Sequence, residues 1–361
     1  MLQENIDEKK EPPGVIPSLN GSHLTSKPIP IPIILPDNPF NHILYENGLS
    51  KILNRLTLKV HSDIEECYKL WDLFSPKESL FDLWDFRYAW HLSHPCIPFF
   101  YTIYQGKTPL AVLPLCYNEF HKRYEWFGTD WMEDNTFWMV EDKYINLILK
   151  VIPKPIELCA IESIPRDALY ENVFIADEEK YIQNIQAFSS IDDYLAGLTK
   201  KHRYNLRRDV KHIESFTPRI EFVGDKNLDD FNTLVNLSLK RFEALSEPSD
   251  FTIPEKKQAF INIIKNSGIY DVKFMKAYIK NQVVAVDLII TYKNIYNPIR
   301  GGADSNTYPG LGSFMVYENF KDAIAQKFSW VDCLQTDCGG YKKRLFNARS
   351  MMKFEVKEEV K

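Results

Sequence analysis

The most informative stretch of the chain is residues 300–325, RGGADSNTYPGLGSFMVYENFKDAIA, where glycines separate an expected strand from an amphipathic helix. Backbone N–H groups of Gly310, Leu311, Gly312 and Ser313 would stand unpaired at the helix start, where the positive end of the helix dipole favours a phosphate. Glycine suits such a position because the main chain can approach an anion with no Cβ in the way. The stretch lacks the Lys-Ser/Thr ending of a P-loop, and it is not a GxGxxG turn within a parallel βαβ unit. An ordinary tight connection from strand to helix would use the same residues.

A second cluster is basic: Lys200, Lys201, His202, Arg203, Arg207, Arg208, Lys211 and His212 fall within thirteen residues. They suit either a solvated helix face or phosphate contacts, whether with coenzyme A, a nucleotide-linked acceptor or tRNA. Tyr204 and Leu206 are too sparse among them for an RNA-stacking platform. Asp287 lies in the β-branched run VVAVDLIITY, where an unpaired carboxylate is costly to bury, and Arg300 on the neighbouring expected strand could pair with it. His91, His94 and Cys96 sit close together, and Cys333 and Cys338 are five apart, but no second pair completes a tetrahedron, so no metal is expected.

These residues need a scaffold, and the composition supplies one. With 361 residues, 45% apolar and 14% aromatic, the chain can fill two cores. The 44 Lys+Arg against 49 Asp+Glu give a net charge of −5, so there is no global field for DNA or an anionic membrane, and any polyanion binding is local. The six cysteines are scattered through apolar stretches, the pattern of reduced thiols in a cytoplasmic protein. No apolar run approaches the roughly 18 residues that span a bilayer, and residues 1–10 are polar and acidic rather than a secretory signal. Eight of the 21 prolines fall in the first 39 residues, so residues 1–56 read as a Pro-rich arm, either laid on the folded body or a disordered leader.

Beyond the arm the periodicity predicts a strand at 58–60 and helices at 63–74 and 80–91. Strands follow at 99–104, 110–117 and 124–127, then a helix at 143–151 and a strand at 156–161. The second half repeats that order. A helix spans 192–216 with Leu206, Val210 and Ile213 in one stripe; then come a strand at 219–223, helices at 228–245 and 254–265, and strands at 272–279, 283–292 and 295–301. The Gly-rich loop leads to a helix at 313–327, a strand at 330–334, a short helix from Tyr341 and a last strand at 352–356.

This order resembles that of the GNAT acyltransferases, whose pyrophosphate loop, Q/R-x-x-G-x-G/A, joins the fourth strand to the third helix. Residues 307–312, TYPGLG, keep both glycines and carry Thr307 where the family has Gln or Arg, a departure common in its divergent Fem-like and CelD-like branch. Residues 198–212, LTKKHRYNLRRDVKH, resemble that branch's basic helix, and residues 330–346, WVDCLQTDCGGYKKRLF, its closing strand and glycine turn. Residues 80–90 followed by AVLPL at 111–115 look like its first unit. The resemblance implies an α+β fold of two tandem GNAT-like domains, each a mixed, mostly antiparallel sheet flanked by helices: residues 57–176 without a donor loop, and 177–361 with one.

It also implies a chemistry: transfer of an acyl group from a coenzyme A or carrier thioester to an amine of a small molecule or cell-envelope precursor, with acyl-CoA as co-substrate. Tyr341, at the place of the family's leaving-thiolate acid, would be the proton donor, or else a core aromatic. Asp304, Asp287 and Asp337 are candidates for the base, and Gly310, Leu311, Gly312 and Ser313 for the donor loop. Arg300, Lys342, Arg203 and Arg207 are candidates for substrate or phosphate contacts. Two alternatives keep the fold: a Fem-like peptidyltransferase using aminoacyl-tRNA, and a non-catalytic module that recognises a metabolite.

Overall fold

Asp63 opens the first helix: its carboxylate accepts the N–H groups of Glu65 and Glu66 at 3.0 Å each, and the helix buries Cys67, Leu70 and Trp71. The computed structural model describes residues 56–94, 96–128, 131–165, 174–224, 226, 228–336 and 342–357. The Pro-rich arm lies outside them except for Leu56, which starts the first strand. In chain order the first half runs β1 (Leu56–His61), α1 (Ile64–Phe74), α2 (Trp84–His91), β2 (Cys96–Gln105), β3 (Thr108–Asn118), β4 (Arg123–Trp126), β5 (Trp138–Met139), α3 (Ile145–Val151), β6 (Ile156–Ile161) and β7 (Phe174–Ala176). The second runs β8 (Lys180–Asn184), α4 (Ile191–Gly197), α5 (Lys200–Glu214), β9 (Arg219–Val223), α6 (Leu228–Leu245), α7 (Pro254–Lys265), β10 (Asp271–Ile279), β11 (Gln282–Tyr292), β12 (Ile295–Ala303), α8 (Leu311–Ala325), β13 (Trp330–Gln335), α9 (Lys342–Leu345), β14 (Asn347–Arg349) and β15 (Met352–Val356).

Two sheets result, β1-β2-β3-β4-β6-β15-β7 with β5 beside β3, and β9-β10-β11-β12-β13-β8-β14. Written this way they match strand for strand. Each is antiparallel except at its fourth pair, β4–β6 and β12–β13, which is parallel. The fold is therefore the α+β tandem of mixed sheets. In the first half the helix in the link between its parallel strands is the seven-residue α3.

Three details differ from expectation. The last strand, assigned to the second domain by a boundary at 176/177, lies in the first sheet between β6 and β7, while β8 holds the equivalent place in the second. Phe354 explains the placement: it is 4% exposed and meets Phe174 at 5.5 Å in the first core. The single helix expected over 192–216 is two. Leu198 is extended, and the Thr199 hydroxyl accepts the His202 N–H at 3.3 Å, restarting the helix. The short strands β5, β7, β8 and β14 were not expected from the pattern.

The halves share a core. Leu80, Phe86 and Trp90 pack in one apolar cluster with Phe231, Phe260 and Ile263, and the Asn262 amide donates to the Ala89 carbonyl at 3.1 Å and to Ser93 Oγ at 2.8 Å. Among the described residues no helix is long and apolar enough to cross a membrane. Cys67, Cys96, Cys116 and Cys333 are free thiols.

Candidate active site

β12 pairs with β11 up to Ala285↔Ala303, but with β13 only at Ile295↔Trp330 and Tyr296↔Val331. From Asn297 onward the parallel strands part, and a cavity of about 880 Å³ fills the parting. Asp287 faces Gly301 across the β11–β12 ladder, on the side covered by α8, whereas Leu288 and Arg300 form the next pair and point to the other side. Both Asp287 and Arg300 line the cavity, so it passes through the sheet.

At one end stands the start of α8. The Asp304 carboxylate accepts the Thr307 N–H at 3.1 Å, its carbonyl accepts the Tyr308 N–H at 3.0 Å, and the Leu311 N–H donates to the Tyr308 carbonyl at 3.1 Å. Gly310 adopts φ +91°, and a Cβ there would come within 3.1 Å of Asp209 Cβ on α5. The Phe314 N–H returns to the Gly310 carbonyl, which leaves the N–H groups of Gly312 and Ser313 with no partner among the described residues. Both residues line the cavity, and a Cβ on Gly312 would meet nothing within 4 Å. Two unpaired N–H groups at a helix start aimed into a cavity can hold an anion.

The sequence candidates divide. Gly310, Gly312, Ser313, Asp287, Arg300 and Lys342 line the cavity. Leu311 does not: its side chain is core and its N–H is engaged. Asp304 is held in the loop turn and borders a second, adjoining pocket. Arg203 donates to the carbonyls of Leu195, Ala196 and Leu198, capping α4, and Arg207 pairs with exposed Asp192 at 3.0 Å. Tyr341 and Asp337 lie outside the described residues.

Arg300 does not pair with Asp287. It bonds Asp250, and its guanidinium stacks 4.2 Å from the Trp131 ring, because strand alternation sends it to the opposite face. Asp287 instead accepts a hydrogen bond from the Asn319 amide at 2.8 Å. Burial pushes its carboxyl up to about 7, with Asn319 opposing only in part. A Cβ on Gly301 would stand 2.3 Å from Asp287 Oδ1, so the glycine makes room for the acid. Lys342 Nζ donates to the Cys333 and Gln335 carbonyls, which the parting of β13 from β12 leaves available.

Three contributors were not found in the sequence. Asn319 sits on the buried face of α8, in a stretch read only as amphipathic. Glu133, from the first half, lines the cavity and is likewise pushed up to about 7 by burial, against the pull of Lys180. Arg241 of α6 borders both the cavity and the adjoining pocket beside Thr307, and makes no ion pair with a described residue. It brings a cation to a loop that has Thr where the family pattern has Gln or Arg.

Residues 200–343 match the family model described as an acetyltransferase (GNAT) domain. The second half is a GNAT acyltransferase domain. Solved structures similar to the whole chain include FemX, at 12% identity over 82% of this chain and 97% of that one, with a TM-score of 0.53. L-PGS from Bacillus licheniformis follows at 11% identity, 82% and 93% coverage and a TM-score of 0.51. A conserved protein of unknown function from Bacteroides thetaiotaomicron VPI-5482 follows at 11%, 83% and 100%, with a TM-score of 0.50. At these identities the likeness is one of fold, and it spans both halves. No curated protein matches the chain by sequence. The residues matched to the GNAT model thus include the Gly-rich start of α8 and the parted strands β12 and β13.

Proposed function

We propose that the protein is a cytoplasmic N-acyltransferase that moves an acyl group from a coenzyme A thioester to an amine. The observation that carries this reading is the cavity through the second sheet, which joins the unpaired N–H groups of Gly312 and Ser313 to the raised-pKa carboxyl of Asp287. The donor pyrophosphate binds those N–H groups with Arg241 as counter-charge, and its thioester lies between β12 and β13, where free strand-edge groups orient the acyl carbonyl. The acceptor nitrogen attacks the carbonyl carbon, the C–N bond forms and the C–S bond breaks. Asp287 takes the amine proton, and Tyr341 protonates the departing thiolate.

The aminoacyl-tRNA alternative draws support from the FemX-like fold, but two arginines of its basic helix are already engaged with α4 and Asp192. The non-catalytic alternative leaves the raised pKa of Asp287 without a use. Gly312→Val tests the leading reading, since nothing near the new Cβ obstructs folding while the side chain enters the donor site. Acetyl-CoA or a long-chain acyl-CoA should raise the melting temperature of the parent protein and not of the variant, and tRNA should raise neither. Unchanged donor affinity in folded Gly312→Val removes the loop from the mechanism.

A further inference from the structure

Asp287 ends a hydrogen-bonded chain that runs through the core. Its Oδ2 accepts the Asn319 amide at 2.8 Å, Asn319 Oδ1 accepts the Tyr296 hydroxyl at 3.1 Å, and the same hydroxyl reaches Asp322 Oδ2 at 3.1 Å. Asp322 is held in turn by Lys273 Nζ at 2.6 Å and by the Gln326 amide at 2.7 Å. The Lys273 ammonium lies 4.6 Å from the centre of the Tyr296 ring. Tyr296 is 0% exposed and Asn319 3%. Three elements are tied together: Asn319 and Asp322 share one face of α8, Lys273 comes from β10, and Tyr296 stands in the last pair of β12 with β13 before the two part.

An amide has a donor end and an acceptor end, and turned the other way Asn319 would set its oxygen against the carboxylate of Asp287. The Tyr296 hydroxyl decides between the two orientations. Burial first, and then Asp322, push its phenol far above the usual tyrosine range, so it remains a donor. With that proton toward Asn319 Oδ1, the NH2 group must face Asp287. Lys273 offsets the charge of Asp322 and weakens its competing claim on the same proton. Asp287 Oδ1, beside Gly301, bonds no described residue and is left for the amine.

We propose that Tyr296 is a positioning residue of the active site: through Asn319 it aims at Asp287 the donor that favours the ionised carboxylate, the form that takes the amine proton. This rests on the reading of Asp287 as the base. The other titratable group facing Asp287 is the Cys333 thiol on β13, which burial holds above the usual thiol range and so uncharged. On β10 the residue opposite is Met275.

Carbon-13 NMR of the full chain, labelled at the aspartate carboxyl carbons and titrated without substrate, tests the proposal. The resonance missing from Asp287→Asn belongs to Asp287, and its midpoint in the parent should be about 7. Tyr296→Phe keeps the ring and removes no charge. Its amide is free to turn its oxygen toward Asp287, so the midpoint should rise by about one unit. A hydroxyl that served packing alone would leave the midpoint unmoved or, by letting water in, lower it toward about 3.9, and either result overturns the proposal. If Tyr296→Phe does not fold, Lys273→Met decides. Burial and Asn319 are what act on Asp287 directly, so Lys273 reaches it through the chain, and its loss lets Asp322 draw the hydroxyl proton away from Asn319. That midpoint should also rise, and an unmoved or lowered one overturns the proposal. An unmoved midpoint in a protein whose turnover Asp287→Asn abolishes defeats the role of Tyr296 alone; turnover that survives Asp287→Asn defeats the base reading, whatever the midpoint does.

Discussion

At the residue scale, the base role proposed for Asp287 joins a catalytic advantage to a cost in stability. A carboxyl near pKa 7 is a better proton acceptor at neutral pH than an ordinary aspartate, and it must be ionised to act. The rate should therefore rise with pH, about tenfold per unit, until roughly pH 7 and then level off. Stability should run the other way. Between the unfolded value of about 3.9 and the folded value, the native state holds a proton that the unfolded chain has lost, so stability falls as pH rises through that window. Asn at this position can still accept the Asn319 amide and carries no charge to bury. Asp287→Asn should lower kcat by about 10² to 10⁴, yet melt higher than the parent at pH 8, by at most about 4 kcal/mol of stability, and alike near pH 4. A variant with unchanged kcat and pH profile would end the base assignment.

At the element scale, the break between α4 and α5 decides what Arg203 does. Its guanidinium reaches back to three carbonyls at the end of α4, the place where a helix leaves acceptors unpaired and favours a cation. Arg203→Ala should cost about 1 to 2 kcal/mol in denaturant unfolding and leave acyl-CoA affinity within twofold. A loss of donor affinity without a loss of stability would return Arg203 to the phosphate role that the basic run suggested. The parting of β12 from β13 is the other decisive element feature. It follows from a ladder of only two paired positions and from a bulge in β12 between its pairings with Leu288 and Ile289.

At the scale of the whole molecule, each sheet holds its sixth strand from an unexpected part of the chain. β8 follows directly on the first half and enters the second sheet; β15 comes from the far end and closes the first. Only the first half therefore needs chain from beyond the boundary at 176/177, the strand β15. Deleting residues 352–361 should open the first sheet between β6 and β7 and speed proteolysis there, although the cut lies next to the second half. Phe354→Ala, which removes a ring from the first core, should cost about 3 to 5 kcal/mol by denaturant unfolding. Unaltered stability in both variants would mean that β15 is dispensable to the first half.

The sequence by itself determined the alternation of strands and helices, the stripe of Leu206, Val210 and Ile213, and the glycines of the donor loop, because helix period, strand period and turn chemistry act over a few neighbouring residues. Tertiary structure decided which sheet received β15, which face of β12 Arg300 occupied, and that Glu133 reached a cavity in the other half. Those outcomes depend on partners distant in sequence. Lys180 shows why most clearly: only Glu133, Asp134 and Asp332, brought from two separate segments, make the burial of its ammonium possible.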